Sequence, residues 1–279
     1  MLVRTPGIAP RVVLVCGTFI AVTPVTGCSP AEPPIRVAIV DSGVAADLDA
    51  FKGYTITSPT ETVTSGHGTM MASVALGTNG NGAEPVDPAL VEVLSVNIDG
   101  GSGDGEALAE GIVAAVDDGA DIILVSRGVR RDAAPLRSAV ERASDAGSVV
   151  VAAAGNVRFL PADYPARYPG VISVGAATRD GQPWPQSAKE PVDTFALGVD
   201  VSVLDEHGAE QVESGTSVAT ALVVRDLLGR LADETIPDPS RYEPPKVVQR
   251  ASWPPRHGAH GPTEGVSARP TCAKRRLMS

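Results

Sequence analysis

Four short stretches of this chain hold side chains whose types and order could do chemistry. Asp41 closes a β-branched run at residues 35–40, in the turn Asp41-Ser42-Gly43. His67 opens an apolar stretch between Gly66 and Gly68, Asn156 follows the run at 150–155, and Ser217 heads an apolar run reaching Leu228. Taken singly, each has a plain structural reading. Asp and Ser commonly cap helices, Asn commonly turns, and a His at a helix start is usually structural. Together, an acid after one strand, an imidazole at one helix start and a hydroxyl at another could form a relay. Such a relay makes a nucleophile of a serine, which is a poor one until a base takes its proton.

The elements that must position these groups alternate between two periods. Residues 35–40, 91–96, 121–126, 148–155 and 171–174 read as strands, being short β-branched or small apolar runs ending in Gly, Asn or Asp. Residues 106–118 and 133–146 have helical periodicity, as do the segments starting at His67 and Ser217. Nearly continuous apolar strands separated by helices imply a parallel sheet covered on both faces. The predicted fold is therefore α/β, a three-layer αβα arrangement around a mainly parallel, doubly wound sheet. In such sheets function gathers where strand C-termini meet the next loop, which is where Asp41 lies.

The wording of the motifs adds a resemblance. Val40-Asp41-Ser42-Gly43, Gly66-His67-Gly68-Thr69, Ala153-Ala154-Gly155-Asn156 and Gly215-Thr216-Ser217 are similar, in this order, to the four signatures of the subtilisin-like serine peptidases, the subtilases. The likeness covers residues 35–251 and includes Tyr164-Pro165 and the segment 192–198. It implies that His67 is the general base, Asp41 its orienting acid, and Ser217 the nucleophile. It also implies an oxyanion hole made by the Asn156 amide and the Ser217 backbone N–H. Ser126, Arg127 and Gly128, with Ala153, Ala154 and Gly155, resemble the segments that line the primary pocket and pair with an extended peptide. Arg127 departs from the family, which has an apolar residue there. Turned into the cleft it would favour an acidic or polar subsite, whereas turned outward it is a surface charge. Met70 to Ser73 and Val218 to Leu222 also depart from the usual text without removing a catalytic group. The loop 77–82 falls where many relatives bind calcium, but it carries few oxygen donors. No His/Cys cluster suggests zinc, and no cofactor is required by this chemistry.

The ends of the chain carry different signals. Residues 1–28 hold no acid, and Arg4 and Arg11 precede an apolar run at 12–22, too short to span a bilayer but suited to a secretory signal. Val25-Thr26-Gly27-Cys28 resembles the bacterial lipobox, whose Cys is acylated and becomes the N-terminus. An ordinary cleaved signal and an uncleaved anchor are the alternatives. On the lipobox reading, residues 29–34 are a short tether with no folding pro-domain. Residues 35–251 are then the catalytic domain, with a short last helix expected near 245–251, and 252–279 a Pro-rich, basic, irregular tail. Of three cysteines, Cys16 leaves with the signal, Cys28 takes the lipid and Cys272 is alone, so no disulfide framework is available.

Charge narrows the partners. Residues 29–236 hold 13 Lys and Arg against 30 Asp and Glu, a net of −17, and residues 237–279 hold 8 against 3. An acidic body excludes nucleic acid, whose phosphates need a positive field, and would be repelled by anionic lipid. The sequence therefore points to an exported serine endopeptidase acting on peptide or protein, monomeric, held by lipid on the outer face of a bacterial cytoplasmic membrane or else secreted. A catalytically silent lipoprotein using the same fold to bind peptides or scaffold a partner is the alternative.

Overall fold

Valine, isoleucine and small residues dominate the strands because both faces of the sheet are covered. In the computed structural model, residues 33–59, 62–80, 84–99 and 105–246 are described. Among these residues, seven strands form one parallel sheet: β1 (Ile35–Asp41), β2 (Thr55–Thr57), β3 (Val91–Asn97), β4 (Ile122–Val125), β5 (Val149–Ala153), β6 (Ile172–Ala177) and β7 (Thr194–Leu197). Their order is β2-β3-β1-β4-β5-β6-β7. Strands β8 (Val201–Leu204) and β9 (Glu210–Glu213) make a separate antiparallel hairpin. Among the described residues four α-helices pack on the sheet: α1 (His67–Ala75), α2 (Glu106–Asp117), α3 (Ala134–Asp145) and α4 (Thr216–Ala232).

Alternation along β1 shows how the layers are built. Val37 and Ile39 join Met71 and Val74 of α1 and Val218 and Leu227 of α4 in one core. Ala38 and Val40 point the other way, to Leu108 and Ile112 of α2 and Leu136 of α3. A period of two on a strand thus feeds two separate hydrophobic layers. Because β1 has β3 on one side and β4 on the other, the winding reverses at β1. Its carboxyl end, and with it Asp41, lies at the switch point where such sheets open a crevice.

The expected αβα fold is the one observed, and the five expected strands and four helices fall within a few residues of their predicted places. The strands β2, β7, β8 and β9 are not separable in the sequence, since polar residues interrupt their three or four positions, whereas β4, equally short, is wholly apolar. The expected helix near 245–251 does not include Pro245 and Lys246, which are not helical. Adjacent Pro244 and Pro245 lack N–H donors and disfavour helical geometry before them. The Pro245 carbonyl instead accepts from the Thr194 hydroxyl, and the Lys246 carbonyl from the Phe195 N–H at 3.1 Å. Residues 247–251, the basic tail, the leader with Cys28, and tether residues 29–32 lie outside the described residues. Among the described residues no helix is long and apolar enough to cross a membrane.

Candidate active site

Asp41 ends β1 with its side chain fully buried, and His67 begins α1 directly beside it. The turn between them is fixed by Ser42. Its hydroxyl donates to the Ser65 carbonyl at 2.8 Å and accepts the Gly68 N–H at 2.9 Å, while its carbonyl accepts the Thr64 N–H at 2.9 Å. Gly43 must be glycine, because its φ is +88° and a Cβ there would lie 2.6 Å from the Thr62 carbonyl. Held this way, His67 Nδ1 is 2.8 Å from both carboxylate oxygens of Asp41. An ionised carboxylate can only accept, so Nδ1 carries the proton and the Nε2 lone pair is left for another group. The Ser42 N–H at 2.8 Å and the Ser126 hydroxyl donate to the same carboxylate.

Ser217 is the second residue of α4, and Asn156 follows β5. Thr216 joins the two. Its N–H and hydroxyl both donate to Asn156 Oδ1, at 2.8 and 3.0 Å, and its hydroxyl accepts the Gly155 N–H at 3.0 Å. With Oδ1 so engaged, the Asn156 amide presents its Nδ2 donors toward the head of α4. Gly215 leaves room for this, since a Cβ there would sit 3.0 Å from Asn156 Nδ2. The Ser217 N–H belongs to the first turn of α4, where backbone donors have no partner within the helix. The Ser217 hydroxyl donates to the Ser126 carbonyl at 2.9 Å. In this resting arrangement it is turned to the strand-end segment and not to His67.

Arg127 is held by two carboxylates. Its Nη1 pairs with Asp99 Oδ1 at 2.8 Å, and its Nε lies 3.5 Å from Asp41 Oδ1, so the guanidinium sits between two carboxylates beside the imidazole. Thr64 fixes Asp99 in turn, donating its hydroxyl at 2.6 Å. These charges set the acidities of the pair. Burial works to raise Asp41, but the hydrogen bond and charge of His67, the Ser126 hydroxyl and the Arg127 charge outweigh it, and its pKa lies below the usual 3.8. Burial works to lower His67, yet the hydrogen bond and charge of Asp41 win. Arg127 opposes the rise, Glu213 of β9 adds to it, and the pKa ends above 6.5.

A base must be neutral to accept a proton, so the activity of this site should rise with pH through a midpoint above 6.5. Arg127→Gln removes a charge that lowers His67, and the midpoint should move to higher pH. Glu213→Gln removes a charge that raises it, and the midpoint should move to lower pH. Profiles of kcat/KM against pH for the three proteins check this, and identical midpoints would show that neither charge acts on the imidazole.

The calcium expectation falls on a loop described as far as Gly80. Thr78 Oγ1 and Asn79 Oδ1 are buried there without a hydrogen-bond partner, and Asn79 Nδ2 donates to the Ser202 carbonyl at 2.7 Å. Residues 81–83 of this loop lie outside the described residues. Among the described residues no three His, Cys, Asp or Glu side chains gather to hold a metal.

Comparison with known proteins fits this geometry. Residues 32–225 match the peptidase S8 family, described as the subtilase family. The chain belongs to the subtilases. It is 36% identical over 195 residues to a thermostable alkaline protease of Halalkalibacterium halodurans, an alignment covering 66% of this chain and 53% of that one. It is 32% identical over 195 residues to the minor extracellular protease Epr of Bacillus subtilis, covering 67% and 30%. The chain thus spans about half or less of these relatives' length. Among solved structures, the patellamide maturation protease PatA superposes with a TM-score of 0.65 at 30% identity, over 74% of this chain and 83% of that one.

Within this subtilase, Asp41 and His67 are in direct contact, Asn156 is joined to the residue before Ser217, and Ser126 touches both Asp41 and Ser217. Ser126 to Gly128 and Ala153 to Gly155 leave the ends of the neighbouring strands β4 and β5. Sequence reasoning does not single out Ser42, Thr216, Asp99 or Glu213. Ser42 and Thr216 lie within the quoted motifs, beside Asp41 and Ser217, which is a usable signal. Asp99 and Glu213 are distant in the chain and carry none.

Proposed function

We propose that this subtilase is a serine endopeptidase working through Asp41, His67 and Ser217. The observation that supports it best is the pairing of buried Asp41 with His67 Nδ1, which leaves Nε2 as the base, with Ser126 linking Asp41 to Ser217 at the head of α4. Rotation of Ser217 about its Cα–Cβ bond takes its hydroxyl from the Ser126 carbonyl to Nε2. His67 then accepts the proton as the serine oxygen attacks a peptide carbonyl carbon. The negative charge of Asp41 stabilises the imidazolium that forms. The developing oxyanion receives hydrogen bonds from Asn156 Nδ2 and the Ser217 N–H. One such donor contributes on the order of a hundred- to a thousandfold in turnover, a magnitude established within this same family. The imidazolium returns its proton to the leaving amine, and water repeats the sequence to release the acyl group. No metal or organic cofactor enters these steps.

The extended substrate lies between the segments Ser126 to Gly128 and Ala153 to Gly155, gaining affinity from main-chain hydrogen bonds. Every group in this scheme comes from one chain, so a monomer suffices. The bond from Ser217 to the Ser126 carbonyl is the one observation that favours a silent, peptide-binding scaffold. A fluorophosphonate probe separates the two readings, because it reacts only with a serine already activated by its base. Labelling is expected, and a folded protein that fails to label would favour the scaffold.

The leader supports action outside the cytoplasm, as does likeness to a relative named as extracellular. In this proposal Cys28 carries the lipid and anchors the enzyme at the membrane. A single acyl chain binds membranes only marginally, so anchoring needs the two chains of a diacylated cysteine. Cys28→Ala is expected to move the protein from the membrane pellet to the soluble fraction. Unchanged sedimentation would indicate an uncleaved anchor.

A further inference from the structure

Strand β7 is an outer edge of the seven-stranded sheet, and among the described residues no strand pairs with its open side. A bare edge is a template for pairing with another chain, and folds commonly cover it. Here Pro245 and Lys246 begin that cover. The Pro245 carbonyl accepts from the Thr194 hydroxyl, and the Lys246 carbonyl from the Phe195 N–H at 3.1 Å. The described chain stops at Lys246, with residues 247–279 still to follow.

Phe195 is also a wall of a groove of about 450 Å³, whose lining includes Phe159, Pro183, Trp184 and Pro185. Gly175 of β6 sets the Phe195 ring against the sheet, since a Cβ on Gly175 would lie 2.5 Å from that ring. On the far side, Phe159 is 64% exposed and has a φ of +69°, a left-handed backbone that bulky residues rarely adopt. Two cations flank its ring. The Arg158 guanidinium is 4.4 Å and the Lys189 ammonium 5.1 Å from the centroid. Backbone strain of this kind gathers at sites that hold a ligand or a partner, and exposed aromatic rings gain by being covered.

We propose that this groove takes the chain's own segment Trp253-Pro254-Pro255. The chain leaves the described structure at the groove itself, because Lys246 is bonded to the lining residue Phe195. Only residues 247–252 separate Lys246 from Trp253, and six residues reach about 20 Å, enough to cross the groove. A tether that short holds the segment at an effective concentration of about millimolar, which favours it over a free partner. The chemistry also fits. Prolines lose little conformational freedom on docking, and proline-rich segments are bound by grooves lined with aromatic rings. The Trp253 ring adds a broad apolar face for Phe159 and Trp184, and the Arg158 and Lys189 cations gain a second aromatic partner.

The test uses the full chain, whose only tryptophans are Trp184 and Trp253. Trp184→Phe leaves Trp253 as the sole emitter, with a blue-shifted maximum expected. Adding Phe159→Ser should shift that maximum to the red and raise quenching by acrylamide severalfold. Phe159 is exposed, so the circular dichroism should not change. Trp253 equally open to acrylamide with and without Phe159→Ser overturns the proposal. Shielding that grows with protein concentration also overturns it, since the groove would then hold the tail of a second copy. A further measurement keeps Trp184 in place: calorimetric binding of a free peptide of residues 247–258. Trp253→Ala should bind this peptide about tenfold or more tightly than the parent, whose tethered segment competes. Equal binding by the two proteins, or binding by Trp253→Ala that survives Phe159→Ser, overturns the assignment.

Discussion

Ser217→Ala should reduce peptide hydrolysis by roughly a millionfold in kcat, the scale on which this family loses activity without its nucleophile. The substitution removes one oxygen, and that oxygen's observed bond is to the Ser126 carbonyl at 2.9 Å. Loss of one neutral hydrogen bond costs only about 1 kcal/mol, so the fold should be kept and the far-ultraviolet circular dichroism unchanged. Fluorophosphonate labelling should disappear with the hydroxyl. Residual rate enhancement over the uncatalysed reaction would come from Asn156, the Ser217 N–H and substrate positioning, which the substitution leaves in place. Cleavage by the variant at the parent's rate would sink the assignment of Ser217.

Asp41→Asn should lower kcat by about ten-thousandfold, with a much smaller change in KM because Asp41 does not touch substrate. The side chain keeps its shape and can still accept the Ser42 N–H. What it loses is the charge that offsets the imidazolium in the transition state. Arg127, 3.5 Å from Asp41, is then left facing that imidazolium without the nearer carboxylate between them. The two influences that hold His67 above 6.5, the hydrogen bond to an ionised carboxylate and its charge, are weakened or gone. The midpoint of the residual pH profile should consequently fall. A variant retaining kcat within about tenfold of the parent, or a midpoint that rises, would show that Asp41 is not the partner that matters.

Ser217 and Asp41 should act on every substrate alike, since in this proposal they handle the reacting atoms and the proton. Arg127 is expected to act at one remove: it is ion-paired with Asp99 beside the imidazole, and its influence passes through His67.

Much of the fold and the site is legible in local chemistry alone. The runs at 35–40, 91–96 and 148–155 read as buried strands because little that is polar interrupts them. The glycines around Asp41, His67 and Ser217 mark tight approaches of backbone. Those same motifs carry the resemblance to subtilases, since a chemical relay needs particular residue types next to particular turns. The short strands β2, β7, β8 and β9 escape because polar residues interrupt so few positions, whereas the equally short β4 is an unbroken apolar run. The direction of Arg127 is not readable either, as it depends on Asp99 from another strand end. Sequence by itself determined the αβα layering and the candidate catalytic residues, because burial and backbone turns are encoded within a few neighbouring positions. Only the tertiary structure decided which charges face the imidazole, because Coulomb energy depends on separation in space and not along the chain.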